Sequence, residues 1–251
     1  MQHSTLTLLG AGPGAPDLIT LRGINALKTA DLVLYDALVD PSLLHYCNSS
    51  CVKQYVGKRA GQHSYSQQEI CEIIIRSSNH YKHIIRLKGG DAFVFGRATE
   101  EIEAAKSAGM NIEVIQGISS ALAVPAAAMI PLTSRGVSQS FWVITGTTRS
   151  GQFANDLYLA AQSTATIVLL MAMNHLHEIM EIFIRHGKQS TPVAIIQEGC
   201  TPRQKIITGQ VNNIADLARI KGLSNPAIIV VGKVVLNQRQ IASVIDLKDA
   251  V

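Results

Sequence analysis

Residues 5–16 read Thr-Leu-Thr-Leu-Leu-Gly-Ala-Gly-Pro-Gly-Ala-Pro, an apolar run that passes directly into a glycine-rich turn. The run Thr5–Leu9 predicts a first β-strand, and the pattern over Leu18–Thr29 predicts a helix. Glycines let a chain turn with positive φ and let a ligand approach its backbone closely. This strand, turn and helix therefore predict an α/β fold with a binding turn at the carboxyl end of the first strand.

The glycine-rich turn differs from the dinucleotide fingerprint GxGxxG. Its glycines are at 10, 12 and 14, with Pro13 inserted. No acidic residue follows about twenty residues later in the position expected to bind a ribose. The spacing disfavours a NAD site, and on this motif alone a plain tight turn between strand and helix remains an equal alternative.

Strand-like runs rich in β-branched residues alternate with helical patterns along the first half of the chain. The further predicted strands there are Leu32–Tyr35, Cys51–Val56, His83–Leu87 and Ile112–Ile115, with helices at Gln67–Ser78 and Thr99–Ala108. This alternation predicts a mostly parallel sheet covered by helices.

The segment Ala121–Gly136, rich in small residues and with two prolines, interrupts this rhythm and predicts a helix followed by a linker. A second α/β series follows, with strands at Phe141–Thr145, Thr166–Leu170, Val193–Gln197, Lys205–Thr208 and Ala227–Val231 and helices at Asn174–His186 and Asn213–Ile220. We therefore expect two α/β domains, residues 1–134 and 138–240, followed by a tail at 241–251.

Composition limits the classes of protein. The chain has 251 residues, of which 47% are hydrophobic and 16% are charged, as in a globular protein with a substantial core. There is no uninterrupted apolar stretch of transmembrane length and no signal-like amino terminus. The net charge of +4 comes without a basic run. We expect a cytoplasmic protein with no membrane and no nucleic-acid partner.

The four cysteines form neither a disulfide framework nor a CxxC pair. Cys47 and Cys51 are four residues apart and would share a face of a helix, which leaves metal binding open on spacing alone. No matching pair of His or Cys follows at zinc spacing. Reduced structural thiols, and no metal, are therefore the preferred interpretation.

Three further segments contain polar residues at positions suited to chemistry. Asp36 ends the second predicted strand, where a carboxylate is well placed to act on a ligand, although it could instead cap the next turn. Lys58 and Arg59 lie between glycines in VGKRAG (56–61), where they would meet carboxylates or phosphates, or form a solvated loop.

The third segment, IIRLKGGDAFVFGR (84–97), runs from a strand into a paired-glycine turn. Gly89 and Gly90 permit contact between the backbone and a ligand. Asp91 would accept hydrogen bonds from a ribose or an ammonium group. This is the most specific motif of the chain.

These segments, in this order, resemble the uroporphyrinogen-III C-methyltransferase family within the tetrapyrrole methylases. The similarity covers roughly residues 5–235 and continues through GISSA (117–121), IPLT (130–133), VITG (143–146), TIVLLM (166–171), PVAIIQEG (192–199) and PAIIVVG (226–232). It implies two α/β domains with the cofactor between them, and a homodimer. The implied reaction uses S-adenosylmethionine, releases S-adenosylhomocysteine, and converts uroporphyrinogen III through precorrin-1 to precorrin-2 for siroheme or cobalamin biosynthesis.

The resemblance also implies roles for individual residues. Asp36 matches the position of the proton acceptor and Lys58 that of the proton donor. Arg59 and Arg97 would face the carboxylates of the substrate. The cofactor site would be lined by Pro13, Gly89, Gly90, Asp91, Val94, Ser119, Ser120, Met171, Gly199 and Ala227.

The sequence departs from the family pattern at Ala92, Ala98-Thr99, Gln116 and Ser134. The β-carbons of Ala98 and Thr99 would narrow backbone freedom beside the substrate cleft, so they bear on substrate and turnover. Three alternatives stay open: a later precorrin methyltransferase of the same fold, a diphthine synthase, and a tetrapyrrole-binding protein without turnover.

Overall fold

The computed structural model describes residues 4–57, 65–146, 152–238 and 241. Contacts between Cα atoms divide the chain into two compact units, Met1–Ser119 and Ser120–Val251. Each unit contains one five-stranded sheet together with helices, which confirms the predicted α/β fold class. No helix in the described ranges is both long enough and apolar enough to cross a membrane.

The first unit alternates strands and helices as the sequence predicts. Its elements are β1 (Thr5–Gly10), α1 (Leu21–Lys28), β2 (Leu32–Tyr35), β3 (Val52–Tyr55), α2 (Gln67–Ser77), β4 (His83–Lys88), α3 (Ala98–Ser107) and β5 (Asn111–Ile115). The strands pair in the order β3-β2-β4-β1-β5, and every pair is parallel. The predicted helix from residue 18 begins later, because the 3-10 turn Pro16–Leu18 precedes α1 and Thr20 caps the helix.

The two faces of this sheet bury different side chains, because successive residues of a strand point to opposite faces. On β4, Ile85 and Leu87 pack with Leu9 and Val33 on one face. Ile84 packs on the other face with residues of α2 and α3, such as Ile74 and Ala105. Arg86 and Lys88 alternate with Ile85 and Leu87, so both lie on the face covered by α2 and α3.

Cys47 and Cys51 do not share a helix. Cys47 ends the 3-10 helix Pro41–Tyr46, which the sequence analysis did not predict, and Cys51 directly precedes β3. Both are free thiols buried in the apolar cluster beneath the sheet, beside Leu43 and Leu44. Their place in the structure is therefore that of small apolar side chains.

The second unit contains a mixed sheet. Its elements are α4 (Ser120–Ala127), β6 (Phe141–Thr145), α5 (Asn155–Gln162), β7 (Thr166–Leu170), α6 (Leu176–Arg185), β8 (Pro192–Gln197), β9 (Lys205–Gln210), α7 (Ile214–Ile220) and β10 (Ala227–Val231). The order is β6-β7-β10-β8-β9, and only β6 and β7 are parallel. The sequence analysis missed α5, whose buried residues Leu157, Ala160 and Ala161 are mostly small and give a weak helical pattern.

Helix α4 packs within the second unit, where Ala121 and Val124 contact a cluster that includes Val168, Ala194 and Val230. Contacts thus divide the chain after Ser119, whereas the sequence analysis placed the division between residues 134 and 138. The helix consists of small apolar residues all round, so its sequence gives no indication of the sheet on which it packs. The loop Thr133–Gln139 that follows is closed by mutual backbone hydrogen bonds between Ser134 and Ser138.

We predict that Cys51 resists alkylation in the folded protein. Burial, together with the neighbouring Cys47, raises the pKa of the Cys51 thiol to about 12. Because the thiolate is the reactive form, iodoacetamide at about pH 8 should modify Cys51 only after unfolding. Peptide mass spectrometry of samples treated with and without guanidinium measures this, and rapid modification in the native sample would contradict it.

Candidate functional site

The candidate residues of the first unit lie along one edge of its sheet. Because β1 to β5 are all parallel, the loops that follow them leave the sheet at the same edge. These loops contain the turn 10–14 after β1, Asp36 after β2, Gly89–Asp91 after β4 and Gly117–Ser119 after β5. Residues 58–64, which follow β3, lie outside the described residues, so the roles of Lys58 and Arg59 stay predictions.

Three of these loops meet at Gly10, Gly90 and Gly117. A Cβ atom on Gly10 would lie 2.5 Å from the nitrogen of Gly117 and 2.7 Å from the carbonyl oxygen of Gly90. A Cβ atom on Gly117 would overlap that same oxygen. Two hydrogen bonds join the backbones of Gly12 and Gly90, with N···O distances of 2.6 and 3.2 Å. We call Gly10, Gly90 and Gly117 the glycine junction. Gly10 and Gly117 must be glycine because three backbones touch there.

Asp91 holds two of these loops together. Its Oδ1 accepts a hydrogen bond from the amide of Phe93 at 2.8 Å, and its Oδ2 accepts one from the amide of Gly117 at 3.0 Å. A carboxylate has lone pairs for further hydrogen bonds, so these contacts leave room for the predicted bond to a ligand. That bond stays a prediction, and the observed role of Asp91 is to fix the loop after β4.

Asp36 occupies the edge of the sheet between a backbone amide and a cation. Its Oδ1 accepts from the amide of Leu38 at 3.1 Å, which is the turn-capping contact considered in the sequence analysis. Its Oδ2 lies 3.5 Å from Nη2 of Arg86, and 24% of the side chain is exposed. Asp36 therefore caps a turn and also presents a partly exposed carboxylate.

Arg97 precedes α3 in a left-handed backbone conformation, with φ of 56°. Its side chain is half exposed and pairs with Glu100, with Nε–Oε1 and Nη2–Oε2 distances of 2.8 and 2.6 Å. These hydrogen bonds raise the pKa of the Arg97 guanidinium. The sequence analysis did not select Glu100, although its spacing of three residues from Arg97 is that of a helical ion pair.

Behind this edge the first unit buries three charged side chains that the sequence analysis also missed. We call Arg86, Lys88 and Glu101 the buried charge cluster. Nζ of Lys88 lies 2.9 and 3.1 Å from the two carboxylate oxygens of Glu101, and Nε of Arg86 lies 3.1 Å from Oε1. The Glu101 side chain is 0% exposed. Burial, followed by the neighbouring charge of Arg86, lowers the pKa of Lys88.

A sequence signal for this cluster exists. Arg86 lies on the predicted strand His83–Leu87 and Lys88 directly follows it, so a strand one residue longer places both on one face of the sheet. Glu101 falls between Ala98 and Ala105 on the apolar side of α3, a position that charged residues rarely occupy without a partner. Two cations on one strand face and an acid on the apolar side of the next helix together indicate a buried ion pair.

The candidate residues of the second unit also share a sheet edge. Strand β10 lies between β7 and β8 and is antiparallel to both, so the carboxyl ends of β7 and β8 flank the start of β10. Met171 follows β7, Gly199 follows β8, and Ala227 begins β10. Met171 has a φ of 54° and is 54% exposed. A Cβ on Gly199 would overlap Val124 of α4.

Ser119 ends the first unit and Ser120 begins α4, and both are partly buried.

Two of the residues that depart from the family pattern lie in the core and not on the surface. Ala92 and Ala98 are buried in the cluster beneath α2 and α3, whereas Thr99 is exposed. In the described part of the chain, no three His, Cys, Asp or Glu side chains are grouped so that they would hold a metal ion.

Comparison with known proteins shows the family. The sequence profile of the Tetrapyrrole (Corrin/Porphyrin) Methylases matches residues 5–215. The chain therefore belongs to the tetrapyrrole methylases. It is 44% identical over 230 residues to the uroporphyrinogen-III C-methyltransferase of Methanocaldococcus jannaschii, an alignment that covers 91% of this chain and 95% of that protein.

Other relatives are longer than this chain. It is 39% identical to the siroheme synthase of Nitrosomonas europaea over 94% of its own length but only 50% of that protein.

The crystal structure of uroporphyrin-III C-methyl transferase from Thermus thermophilus complexed with S-adenyl homocysteine matches with a TM-score of 0.78 and 32% identity, covering 92% of this chain and 99% of that one. The resemblance inferred from the sequence motifs is thus confirmed.

Gly117→Ala is expected to lower the free energy of unfolding by about 1–3 kcal/mol, because its Cβ must push apart two backbones that cannot repack. Urea unfolding measures the change. Gly109→Ala is the control for an added methyl group that causes no clash. Its Cβ would meet nothing within 4 Å, so any loss there comes from the positive φ of +70° alone. A loss at Gly117 no larger than at Gly109 would argue against the glycine junction.

The pKa of Lys88 predicts a pH dependence of stability. Because this pKa is lowered, the folded protein releases the Lys88 proton at a lower pH than the unfolded chain does. Between the lowered pKa and the ordinary value of 10.5, the unfolded state binds more protons, so stability contributed by Lys88 rises with pH. The free energy of unfolding is measured for the wild type and for Lys88→Met across this alkaline range. The stability of the wild type relative to the variant should increase as the pH rises; a pH-independent difference would refute the expectation.

Proposed function

We propose that this chain transfers methyl groups from S-adenosylmethionine to uroporphyrinogen III, forming precorrin-1 and then precorrin-2. The observation that carries the proposal is the sequence similarity to the Methanocaldococcus enzyme, which extends over nearly the full length of both proteins. The glycine junction and Asp36 share one sheet edge, which supports a site that combines a binding turn with a carboxylate.

S-adenosylmethionine supplies a methyl group already activated by a sulfonium. In the first unit, the residues proposed to hold it are Pro13, Gly89, Gly90, Asp91, Val94 and Ser119. In the second unit they are Ser120, Met171, Gly199 and Ala227. The fit is supported by the partial exposure of Pro13, Gly89 and Gly90 and by the exposed apolar residues Val94 and Met171.

The substrate is proposed to be held by positive charge. Uroporphyrinogen is a macrocycle with many carboxylates, and guanidinium groups bind carboxylates with paired hydrogen bonds. Arg97, which is half exposed, and Arg59 would make these contacts. Arg97 already pairs with Glu100, so a substrate carboxylate would have to share or displace that partner. Its selectivity would thereby depend on the geometry of the incoming carboxylate.

Asp36 is proposed to act on charge and protons. When a ring carbon of the macrocycle gains a methyl group, positive charge develops on the macrocycle and a proton is finally lost. The Oδ2 of Asp36 is fixed near Arg86, partly exposed, and able to accept that proton. The role of proton donor that the resemblance gives to Lys58 stays a prediction. Orientation can lower a barrier by about 7–11 kcal/mol, and base assistance typically adds about 10²–10⁴-fold.

The wider setting is proposed from the composition of the sequence and from the resemblance. The protein would act as a homodimer in the cytoplasm, without a membrane or nucleic-acid partner and without a metal. Precorrin-2 would pass to siroheme or cobalamin biosynthesis.

Asp36→Asn tests the proposal. The variant keeps the size of the side chain and an acceptor for the amide of Leu38 but removes the charge, so kcat should fall about 10²–10⁴-fold while the affinity for S-adenosylmethionine stays unchanged. Methyl transfer is measured anaerobically with labelled S-adenosylmethionine and uroporphyrinogen III, and the products are identified by mass. Asp216→Asn, an exposed aspartate on α7, is the control.

Two results would count against this account. Equal losses of turnover and cofactor affinity in Asp36→Asn would make Asp36 a structural residue. A wild-type protein that binds S-adenosylmethionine but does not methylate uroporphyrinogen III would refute the proposed substrate, and precorrin-3 and precorrin-4 would be tested next.

A further inference from the structure

The carboxylate of Glu101 organises the interior behind the candidate site. Its Oε1 accepts three hydrogen bonds, from Nε of Arg86 at 3.1 Å, Nζ of Lys88 at 2.9 Å and Nε2 of Gln67 at 3.1 Å. Its Oε2 accepts a second bond from Lys88 at 3.1 Å. These four contacts come from α2 and β4, so the carboxylate has a single orientation that is set by two elements.

Arg86 connects this carboxylate to the edge of the sheet. Its Nη1 donates to the carbonyl oxygens of Leu34 and Leu87 at 3.3 and 3.0 Å, while Nε donates to Glu101. With Nε and Nη1 engaged in this way, the planar guanidinium has little freedom to rotate. Its remaining nitrogen, Nη2, is directed at Oδ2 of Asp36, 3.5 Å away.

The balance of charge also leads to Asp36. Arg86 and Lys88 contribute two positive charges and Glu101 contributes one negative charge, which leaves one excess positive charge in a buried place. Buried charge that is not compensated is costly, so the excess favours a negative partner. Asp36 is the carboxylate within reach of Arg86 besides Glu101 among the described residues.

We propose that Glu101 is a positioning residue for Asp36 and acts through Arg86. Glu101 anchors the Arg86 guanidinium and offsets part of its positive charge. Arg86 then orients the Asp36 carboxylate while sharing its charge between two carboxylates, Glu101 and Asp36. Lys88 holds Glu101 in the orientation that this requires. The inference rests on the proposed function, in which Asp36 accepts the proton.

The test is a double-mutant cycle of Glu101→Gln and Asp36→Asn in the anaerobic methylation assay. Glu101→Gln alone should lower kcat about 10–100-fold, with less than about a two-fold change in the KM for uroporphyrinogen III and in the affinity for S-adenosylmethionine. In the Asp36→Asn background, the same change should add less than about a two-fold loss, because the group on which Glu101 acts has been removed. Glu103→Gln, an exposed glutamate on the same helix, is the matched control and should keep wild-type turnover.

A purely structural role predicts a different pattern. In that case Glu101→Gln would lower turnover by the same factor in both backgrounds, and this additivity would overturn the inference while the proposed function stands. If the wild type transfers no methyl group to uroporphyrinogen III, the proposed function fails and the inference fails with it. Wild-type turnover in a folded Glu101→Gln would also overturn the inference.

A second variant covers the case in which Glu101→Gln does not fold. Lys88→Met with Glu101→Leu removes one charge of each sign and replaces the pair by apolar side chains of similar size, an exchange that buried ion pairs often tolerate. Binding of S-adenosylmethionine and a cooperative unfolding transition establish that it is folded. We expect its kcat to fall at least about ten-fold because Arg86 has lost its anchor; unchanged turnover would overturn the inference.

Discussion

The close approach of three backbones at Gly10, Gly90 and Gly117 is the constraint on which the site of the first unit depends. No side chain fits between these residues, so the loops after β1, β4 and β5 are fixed relative to one another by main-chain contact. Asp91 reinforces the arrangement by accepting the amide of Gly117. Ordered loops at the carboxyl edge of a parallel sheet favour the binding of a small molecule, because the loops lose little conformational entropy when the ligand binds.

The second constraint is the burial of charge on β4. Apolar side chains cover most of the sheet face beneath α2 and α3, yet Arg86 and Lys88 occupy the last two positions that β4 directs to this face. An ion pair in such a place contributes little to stability compared with apolar packing. What it does provide is a fixed direction, since Arg86 is held by carbonyl oxygens on one side and by Glu101 on the other. The strand thus ends in ordered polar groups immediately before Gly89.

The sequence was sufficient for elements with a strong local pattern. Runs such as Leu32–Tyr35 and Thr166–Leu170 are strands at the predicted bounds, because short apolar runs between turn signals are typical of buried strands. The sequence did not predict the direction of strand pairing in the second unit. The residues of β8, β9 and β10 would suit either parallel or antiparallel pairing, and the structure shows antiparallel pairs. At the site, the glycine pattern located the loop after β1, but it gave no indication of the backbone contacts made by Gly10 and Gly117. Their Cβ atoms would meet other backbone, which only tertiary structure reveals.

The Ala98-Thr99 departure shows how a local argument changes once the fold is known. From sequence, two added β-carbons beside Arg97 would restrict the backbone near the substrate. In the structure Ala98 begins α3 and its methyl group is buried in the core, while the side chain of Thr99 is exposed. The left-handed conformation falls on Arg97 itself, and the guanidinium is oriented by Glu100 one turn along. The proposed contact of Arg97 with a carboxylated substrate would therefore depend on the Arg97–Glu100 pair. The departure itself removes nothing that such a contact needs, and the alternative of a binding protein without turnover loses its support in the sequence.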